Sequence, residues 1–338
     1  MAVDAEKKRT VLIVGCGSIG ERHLRCFLET GRVQAIACEP NAELLQTITE
    51  RYQVPGCSSL DVGLAREDVD SVVICTPAHL HVAMAIQCLR AGKHVLIEKP
   101  LAVSLEGTDE LVRARDESGK KVGIAYVQRF NPPITGASEY VRSGALGKIH
   151  QVALRGGQHF PTFRPAYREI YYNDRRTGGG AIQDALTHMV NVMEWMIGPT
   201  QTLSCDAAHQ SLPGVEVEDT VNIIARNGET LVSYSINQFQ CLSDNSIELH
   251  GEDGSVRILI HESRWDSIKR GEAEWTRHEI APEERDWVFI TQASAFLDMV
   301  EEKESILCTL EEAIQTLKFN LAALKSADSG QRVNLEEV

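Results

Sequence analysis

Asp184, His188 and Asn191 stand at i, i+4 and i+7 in a stretch, GGGAIQDALTHMVNVMEWMIG over 178–198, that is otherwise apolar almost all round. On a helix this spacing sets the three side chains on one face, while Ile182, Leu186, Met189, Val190 and Met193 pack elsewhere. Burying an unpaired carboxylate or imidazole is costly, so the row must be satisfied by its own members, by a neighbouring element or by a bound molecule. A histidine so placed suits proton transfer near neutral pH, with the aspartate orienting the ring or a substrate. The same pair could equally satisfy itself inside a core helix. A second reactive group is Lys99, in HVLIEKPLA, at the end of an apolar strand and held extended by Pro100. An ammonium there can polarise an oxygen and favour a developing alkoxide.

A third pattern is GCGSIG, with Gly15, Gly17 and Gly20 in GxGxxG spacing after a strand and at the opening of a helix. The first glycine permits a tight turn, the second lets the backbone approach a pyrophosphate, and the third allows close helix-to-strand packing. The helix N-terminus favours the negative charge. Glu39 ends the next strand, where a carboxylate accepts hydrogen bonds from both adenosine-ribose hydroxyls and repels a 2′-phosphate, so NAD is favoured over NADP.

The elements that carry these residues follow two grammars. Up to residue 127, short apolar strands (TVLIVG, VQAIACEP, DSVVICT, HVLIEKP, KVGIAY) alternate with helices, among them Val82 to Arg90 and Ser104 to Glu117. Such alternation predicts a doubly wound parallel sheet. From residue 128 to 338 the pattern is that of an α+β domain. Strands at KIHQVALRGG, DTVNIIAR, TLVSYSINQFQ, SIELHG and SVRILI follow without intervening helices, as in a largely antiparallel open sheet, and two helices close the chain. With 338 residues, two domains (1–127 and 128–338) are expected. The balance of 48 acidic against 34 basic residues speaks against binding of nucleic acid or of an anionic membrane. The nine cysteines show no CxxC or zinc-like spacing, so all nine read as buried, reduced thiols with no metal site. Together with a polar N-terminus and no long apolar stretch, this reads as a cytoplasmic protein.

GCGSIG, CTPAHLHVAMAIQCLRAGKHVLIEKPLA and the 178–198 helix, in that order and spacing, resemble the Gfo/Idh/MocA family of NAD(P)-dependent oxidoreductases, which includes inositol and sugar dehydrogenases. The resemblance spans nearly the whole chain. It implies a Rossmann domain followed by a substrate and oligomerisation domain. It implies cofactor contacts from Gly15, Gly17, Ser18, Ile19, Gly20, Glu39, Thr76, Pro77, His81, Glu98, Lys99 and Gln128. It assigns His188 as general base, Lys99 as its partner and Asp184 as the third polar contact. Asn191 stands where many members carry aspartate, so hydrogen bonding is all it can offer.

Substrate contacts are expected from Arg129, Asp184, His188 and the loop before the helix. That loop carries Arg164, Arg168, Arg175 and Arg176 interleaved with Phe160, Phe163, Tyr167, Tyr171 and Tyr172. Arg164 and Tyr167 are its candidate substrate residues. Arginine clamps carboxylate or phosphate and aromatic faces stack on rings, which fits an acidic or nucleotide-linked sugar; a solvated loop or a subunit contact is the other reading. FRPAYRE before RRTGGG also resembles a branch of the family found with surface-polysaccharide biosynthesis. The expected activity is oxidation of a secondary hydroxyl of a sugar, sugar derivative or cyclitol by a homodimer or homotetramer. A glycoside-cleaving or epimerising enzyme that recycles bound NAD, and a non-catalytic nucleotide sensor, are the alternatives.

Overall fold

The structure, a computed structural model, describes residues 8–169, 171–281, 284 and 286–338. The chain forms two compact units. In the first, strands β1 (Arg9–Val14), β2 (Val33–Cys38), β3 (Gly56–Cys57), β4 (Ser71–Ile74), β5 (His94–Ile97) and β6 (Val122–Ile124) make one parallel sheet in the order β3-β2-β1-β4-β5-β6. Helices α1 (Ser18–Glu29), α2 (Ala42–Tyr52), α3 (Leu60–Leu64), α4 (His81–Arg90) and α5 (Thr108–Ser118) connect them. Val11 to Val14 and Val72 to Ile74 are essentially fully buried, as strands covered on both faces must be. The order reverses between β1 and β4, so the crevice at their carboxyl ends is the place where a sheet of this kind receives a ligand. Asn41 caps α2 by accepting the Glu43 and Leu44 amides, which starts that helix at the expected residue. The helix expected from Ser104 instead begins at Thr108, because Gly107 enters it with φ 76°.

The second unit opens with α6 (Pro132–Arg142), then β7 (Ile149–His159), the single turn α7 (Phe160–Phe163) and the functional helix α8 (Thr187–Ile197). It continues with β8 (Thr202–Ala208), β9 (Thr220–Asn227), β10 (Thr230–Asn237), β11 (Phe239–Gly251), β12 (Gly254–Leu259), β13 (Arg264–Lys269) and β14 (Thr276–Glu279). Residues 284–310, which carry α9 (Trp287–Val300), return to the first unit. The chain ends in the second unit with α10 (Leu310–Ser329) and β15 (Val333–Asn334).

The nine-stranded sheet runs β14-β13-β12-β11-β7-β10-β9-β8-β15, antiparallel except where β7 meets β10. Along β9 and β10 buried and exposed residues alternate. Val221, Ile223 and Ala225 face a core shared with Val190, Met193 and Phe319, while Ile224 and Leu231 stand exposed on the other face.

The return of α9 corrects the expectation that 128–338 is all one domain. Phe296 packs edge-on to Phe27 of α1 at 6.1 Å, and Asp298 and Glu301 pair with Arg32, so α9 completes the first core. A second correction concerns the thiols. Seven of the nine are buried, but Cys75 is partly covered and Cys241, on β11, is exposed. Burial pushes the Cys16 and Cys26 thiols up to about 11, far from the reactive thiolate. Among the described residues no helix is long and apolar enough to cross a membrane.

Candidate active site

The glycine loop joins β1 to α1. Gly15 has φ 84° and donates its N–H to Cys38 O at 2.9 Å, and a Cβ on it would lie 3.0 Å from Cys75 O. A Cβ on Gly20 would fall 1.7 Å from Gly15 O, so only glycine fits there. Gly17 is different: a Cβ would meet nothing within 4 Å, and the residue caps α1 with no side chain of its own. The amides of Ser18, Ile19 and Gly20 open the helix, where first-turn N–H groups have no acceptor inside the helix and favour an anion. The three glycines thus form a cradle of bare backbone that fits a dinucleotide pyrophosphate. Glu39 is fixed by that loop as well as placed beside it: Oε2 accepts the Cys16 amide at 2.8 Å and Oε1 the Asn41 amide at 3.1 Å.

At the carboxyl end of β4, Thr76 is half-buried and Pro77 exposed. Lys99, after β5, is half-buried. Two residues expected to touch cofactor here, His81 and Glu98, are buried. His81 is 1% exposed, with its ring nitrogens 2.8 Å from Thr76 O and 3.0 Å from Pro100 O, so it ties the two loops together. Burial holds its ring below the ordinary histidine value, against the Thr76 and Pro100 carbonyls, which work to raise it. Glu98 is 7% exposed; Oε1 lies 2.6 Å from His23 Nε2 on α1 and Oε2 accepts the Lys99 amide at 2.9 Å. Burial works to raise its carboxyl, but the hydrogen bond from His23, with Lys99 close by, outweighs it and holds the group below its ordinary value.

In the second unit the row of three is not one uniform face. The helix opens as a wide π turn over Ile182–Leu186 before the regular α8, which shifts the phase of Asp184 against His188 and Asn191. Asp184 is 9% exposed and its Oδ1 accepts the Tyr171 hydroxyl at 2.7 Å. His188 is half-buried. Asn191 is wholly buried, accepting from Arg129 Nε at 2.8 Å and donating to Thr316 of α10 at 3.1 Å. Neighbouring elements therefore account for Asn191, and the loop accounts for one oxygen of Asp184.

The expected substrate residues separate in the same way. Arg129 is 1% exposed, pairs with Glu312 at 2.9 Å and lies over the Trp195 ring, with Nη2 buried and without a hydrogen-bond partner among the described residues. Tyr167 is also 1% exposed, packed with Phe160 and Tyr172 and donating to Pro213 O at 2.7 Å. Arg168 stacks on Tyr167, Arg175 pairs with Glu218 and Asp328, and Arg176 pairs with Asp174. Arg164 is exposed and forms no ion pair among the described residues. Gln128 is half-buried, its side-chain oxygen without a hydrogen-bond partner among the described residues.

Two important residues carry no strong signal in the chain. Tyr171 is one aromatic among several, and Glu218 lies in an unremarkable acidic run before β9. Yet Glu218, 1% exposed, accepts Arg175 Nε at 2.8 Å and the Ile182 amide at 3.2 Å, capping the π turn that holds Asp184. The available hint was GGG at 178–180. Gly178 and Gly180 adopt φ of 97° and 90°, and a Cβ on Gly179 would lie 2.3 Å from Tyr172 O. The glycines let the loop fold back on the start of the helix. Among the described residues no three His, Cys, Asp or Glu side chains are grouped to hold a metal ion.

Comparison with known proteins agrees with this arrangement. Residues 9–126 match an oxidoreductase family with an NAD-binding Rossmann fold (GFO_IDH_MocA), and residues 134–257 match the GFO/IDH/MocA C-terminal domain. The chain is 26% identical over 273 residues to 1,5-anhydro-D-fructose reductase of Ensifer adhaerens, covering 80% of each protein. Its fold is similar to that of the WlbA dehydrogenase from Bordetella pertussis in complex with NADH and UDP-GlcNAcA (TM-score 0.84, 24% identity, 97% and 98% of the two chains). It is also similar to levoglucosan dehydrogenase in complex with NADH (TM-score 0.88, 20% identity, 97% and 99% covered).

Proposed function

The chain belongs to the GFO/IDH/MocA family of NAD-binding oxidoreductases, and within that family we propose a dehydrogenase that oxidises a secondary hydroxyl of a sugar, sugar derivative or cyclitol. The observation that carries the reading is the π turn. It sets a nearly buried aspartate, bonded to Tyr171, one turn before a half-buried histidine in a helix otherwise devoted to the core. Polar groups held at such cost, on a local irregularity of the helix, are the mark of a site built for a ligand.

NAD, when bound, accepts the hydride from the substrate carbon. The protein's part is to handle the hydroxyl. His188 takes its proton, Lys99 donates a hydrogen bond to the same oxygen as it becomes alkoxide-like, and Asp184, oriented by Tyr171, fixes a neighbouring hydroxyl or the imidazole. Gly15, Gly17, Ser18, Ile19, Gly20 and Glu39 would hold the adenine-side phosphates and ribose, with Thr76, Pro77 and Gln128 as further contacts. Arg164, exposed and without an ion pair among the described residues, is the group that would read a carboxylate or phosphate on the substrate. Relatives named for anhydro-fructose, levoglucosan and a UDP-linked acidic sugar support a carbohydrate substrate. The exposed Ile224 and Leu231 on the open sheet face support a homodimer or homotetramer.

The test is NADH formation from NAD with a panel of inositols, aldoses, anhydrosugars, uronic acids and nucleotide sugars. Wild-type turnover with one of them, falling about 10²–10⁴-fold in His188→Ala and in Lys99→Met, is the expected result. NADH formation that survives both substitutions overturns the assignment. Tightly held NAD with no NADH released would move the reading to an enzyme that recycles its cofactor internally.

A further inference from the structure

The reading above leaves one buried ionisable pair unused. His23 is wholly buried on α1, three residues past the last glycine of the loop, and its Nε2 lies 2.6 Å from Glu98 Oε1. Phe289 meets the ring edge-on at 5.8 Å, and Nδ1 has no hydrogen-bond partner among the described residues. The ring thus engages the carboxylate through Nε2 alone. The carboxylate divides its oxygens: Oε1 toward α1, Oε2 toward the Lys99 amide at 2.9 Å.

A well-packed apolar pair would hold the core as well as this pair does, so the pair is retained for geometry more than for stability. What it fixes is the backbone of one residue, Lys99, and it fixes that backbone to the helix whose first turn bears the pyrophosphate cradle. We propose that His23 is a positioning residue that, through Glu98, couples occupancy of the glycine loop to the placement of Lys99. The proposal rests on the reading of Lys99 as a reactive group, yet its central claim, the coupling, is measurable without any substrate.

The experiment is hydrogen exchange of the full chain with and without saturating NADH, following a peptide over 95–105, with one over 230–237 in the other unit as reference. In the wild type, NADH slows exchange in 95–105 by about tenfold. In His23→Leu that protection is lost while the reference peptide is unchanged, and in His23→Gln, whose amide can donate to Glu98 from a similar reach, it returns. Should His23→Leu fail to fold, Glu98→Gln is read instead; it sets an N–H against the His23 N–H and loses the protection in the same way. NADH-dependent protection that persists in the folded His23→Leu or Glu98→Gln protein overturns the coupling. Turnover separates the two claims. Lys99→Met with wild-type turnover sinks the lysine assignment and leaves the exchange result standing. With Lys99 confirmed, His23→Leu lowers kcat about tenfold with KM for NAD within about twofold, and His23→Gln recovers it; an unchanged kcat overturns the positioning role.

Discussion

Replacing Gly180 by alanine should damage the second unit far more than a glycine-to-alanine change in a loop usually does. Gly180 has φ 90°, and a side chain in that left-handed region costs about 1–2 kcal/mol. The new Cβ would sit 2.4 Å from Glu218 Oε1 and 2.7 Å from its Cδ, so Glu218 must move. Glu218 is 1% exposed and holds Arg175 at 2.8 Å and the Ile182 amide at 3.2 Å. Displacing it leaves a buried amide unmet, about 1–3 kcal/mol, and weakens a pair whose arginine is already one-third exposed, which adds roughly another 1 kcal/mol. The sum is about 3–6 kcal/mol. Gly144→Ala is the matched control: φ is 81° there, but a Cβ would meet nothing within 4 Å, so only the backbone penalty of about 1–2 kcal/mol remains. Urea unfolding followed by tryptophan fluorescence reads the difference, at about 2–3 kcal/mol per molar as a midpoint shift of about 1–3 M for Gly180→Ala. NADH binding, a property of the first unit, should stay within about twofold. If both alanines cost the same, Glu218 is not held in place by the turn and the account of how Asp184 is positioned is wrong.

Two further predictions concern the first unit. Glu39→Gln keeps an oxygen for the Cys16 amide but removes the charge facing a 2′-phosphate, so the preference for NADH over NADPH should fall about tenfold, one charge pair at the effective dielectric of a partly exposed site; fluorescence titration showing an unchanged preference refutes the charge argument. His94 is pushed down to about 4, first by burial and then by Lys120, and its Nδ1 accepts the Lys121 amide at 3.1 Å. The fold therefore holds the ring neutral while the unfolded chain takes a proton near 6.5, so its contribution is full above about pH 6.5 and is lost as pH falls toward 4. His94→Asn supplies an oxygen to the same amide without titrating, and should flatten the decline in thermal midpoint between pH 7.5 and 5; a decline equal to that of the wild type counts against the assignment.

How much of this was legible in the chain depends on whether the constraint is local. β1, β2, β4 and β5 are runs of β-branched and aliphatic residues bounded by turns, and such runs declare a covered parallel sheet from their own composition. β3 is two residues long and exists through its pairing with Ala37 and Cys38, which no window of sequence displays. β14 is rich in charge because it finishes the sheet at its edge, whereas in β13 the Asp266 carboxylate is buried and paired with Arg257 of β12. α9 has a clear helical pattern, but the choice of α1 as its partner is written in contacts such as Phe27 with Phe296, far apart along the chain.

The same division runs through the site. GCGSIG and EKP are legible because backbone geometry demands those residues one after another: Gly20 cannot carry a Cβ against Gly15 O whatever the rest of the protein does. The polar residues around such a motif carry no such local demand. His81, Glu98 and Tyr167 are 7% exposed or less, and their polar atoms meet backbone carbonyls, an amide or the His23 ring; Arg129, 1% exposed, pairs with Glu312 and Asn191 but keeps one guanidinium nitrogen without a partner among the described residues. Burying such groups is tolerable only when they are hydrogen-bonded, and a group already satisfied by the framework has little left for a substrate. Lys99 and His188 are only half-buried, and on that ground they keep their place as candidates for the chemistry. Asp184 keeps it on different grounds. It is nearly as buried as Glu98, but the tyrosine that donates to its Oδ1 is 40% exposed, and a substrate hydroxyl offers the same donor chemistry.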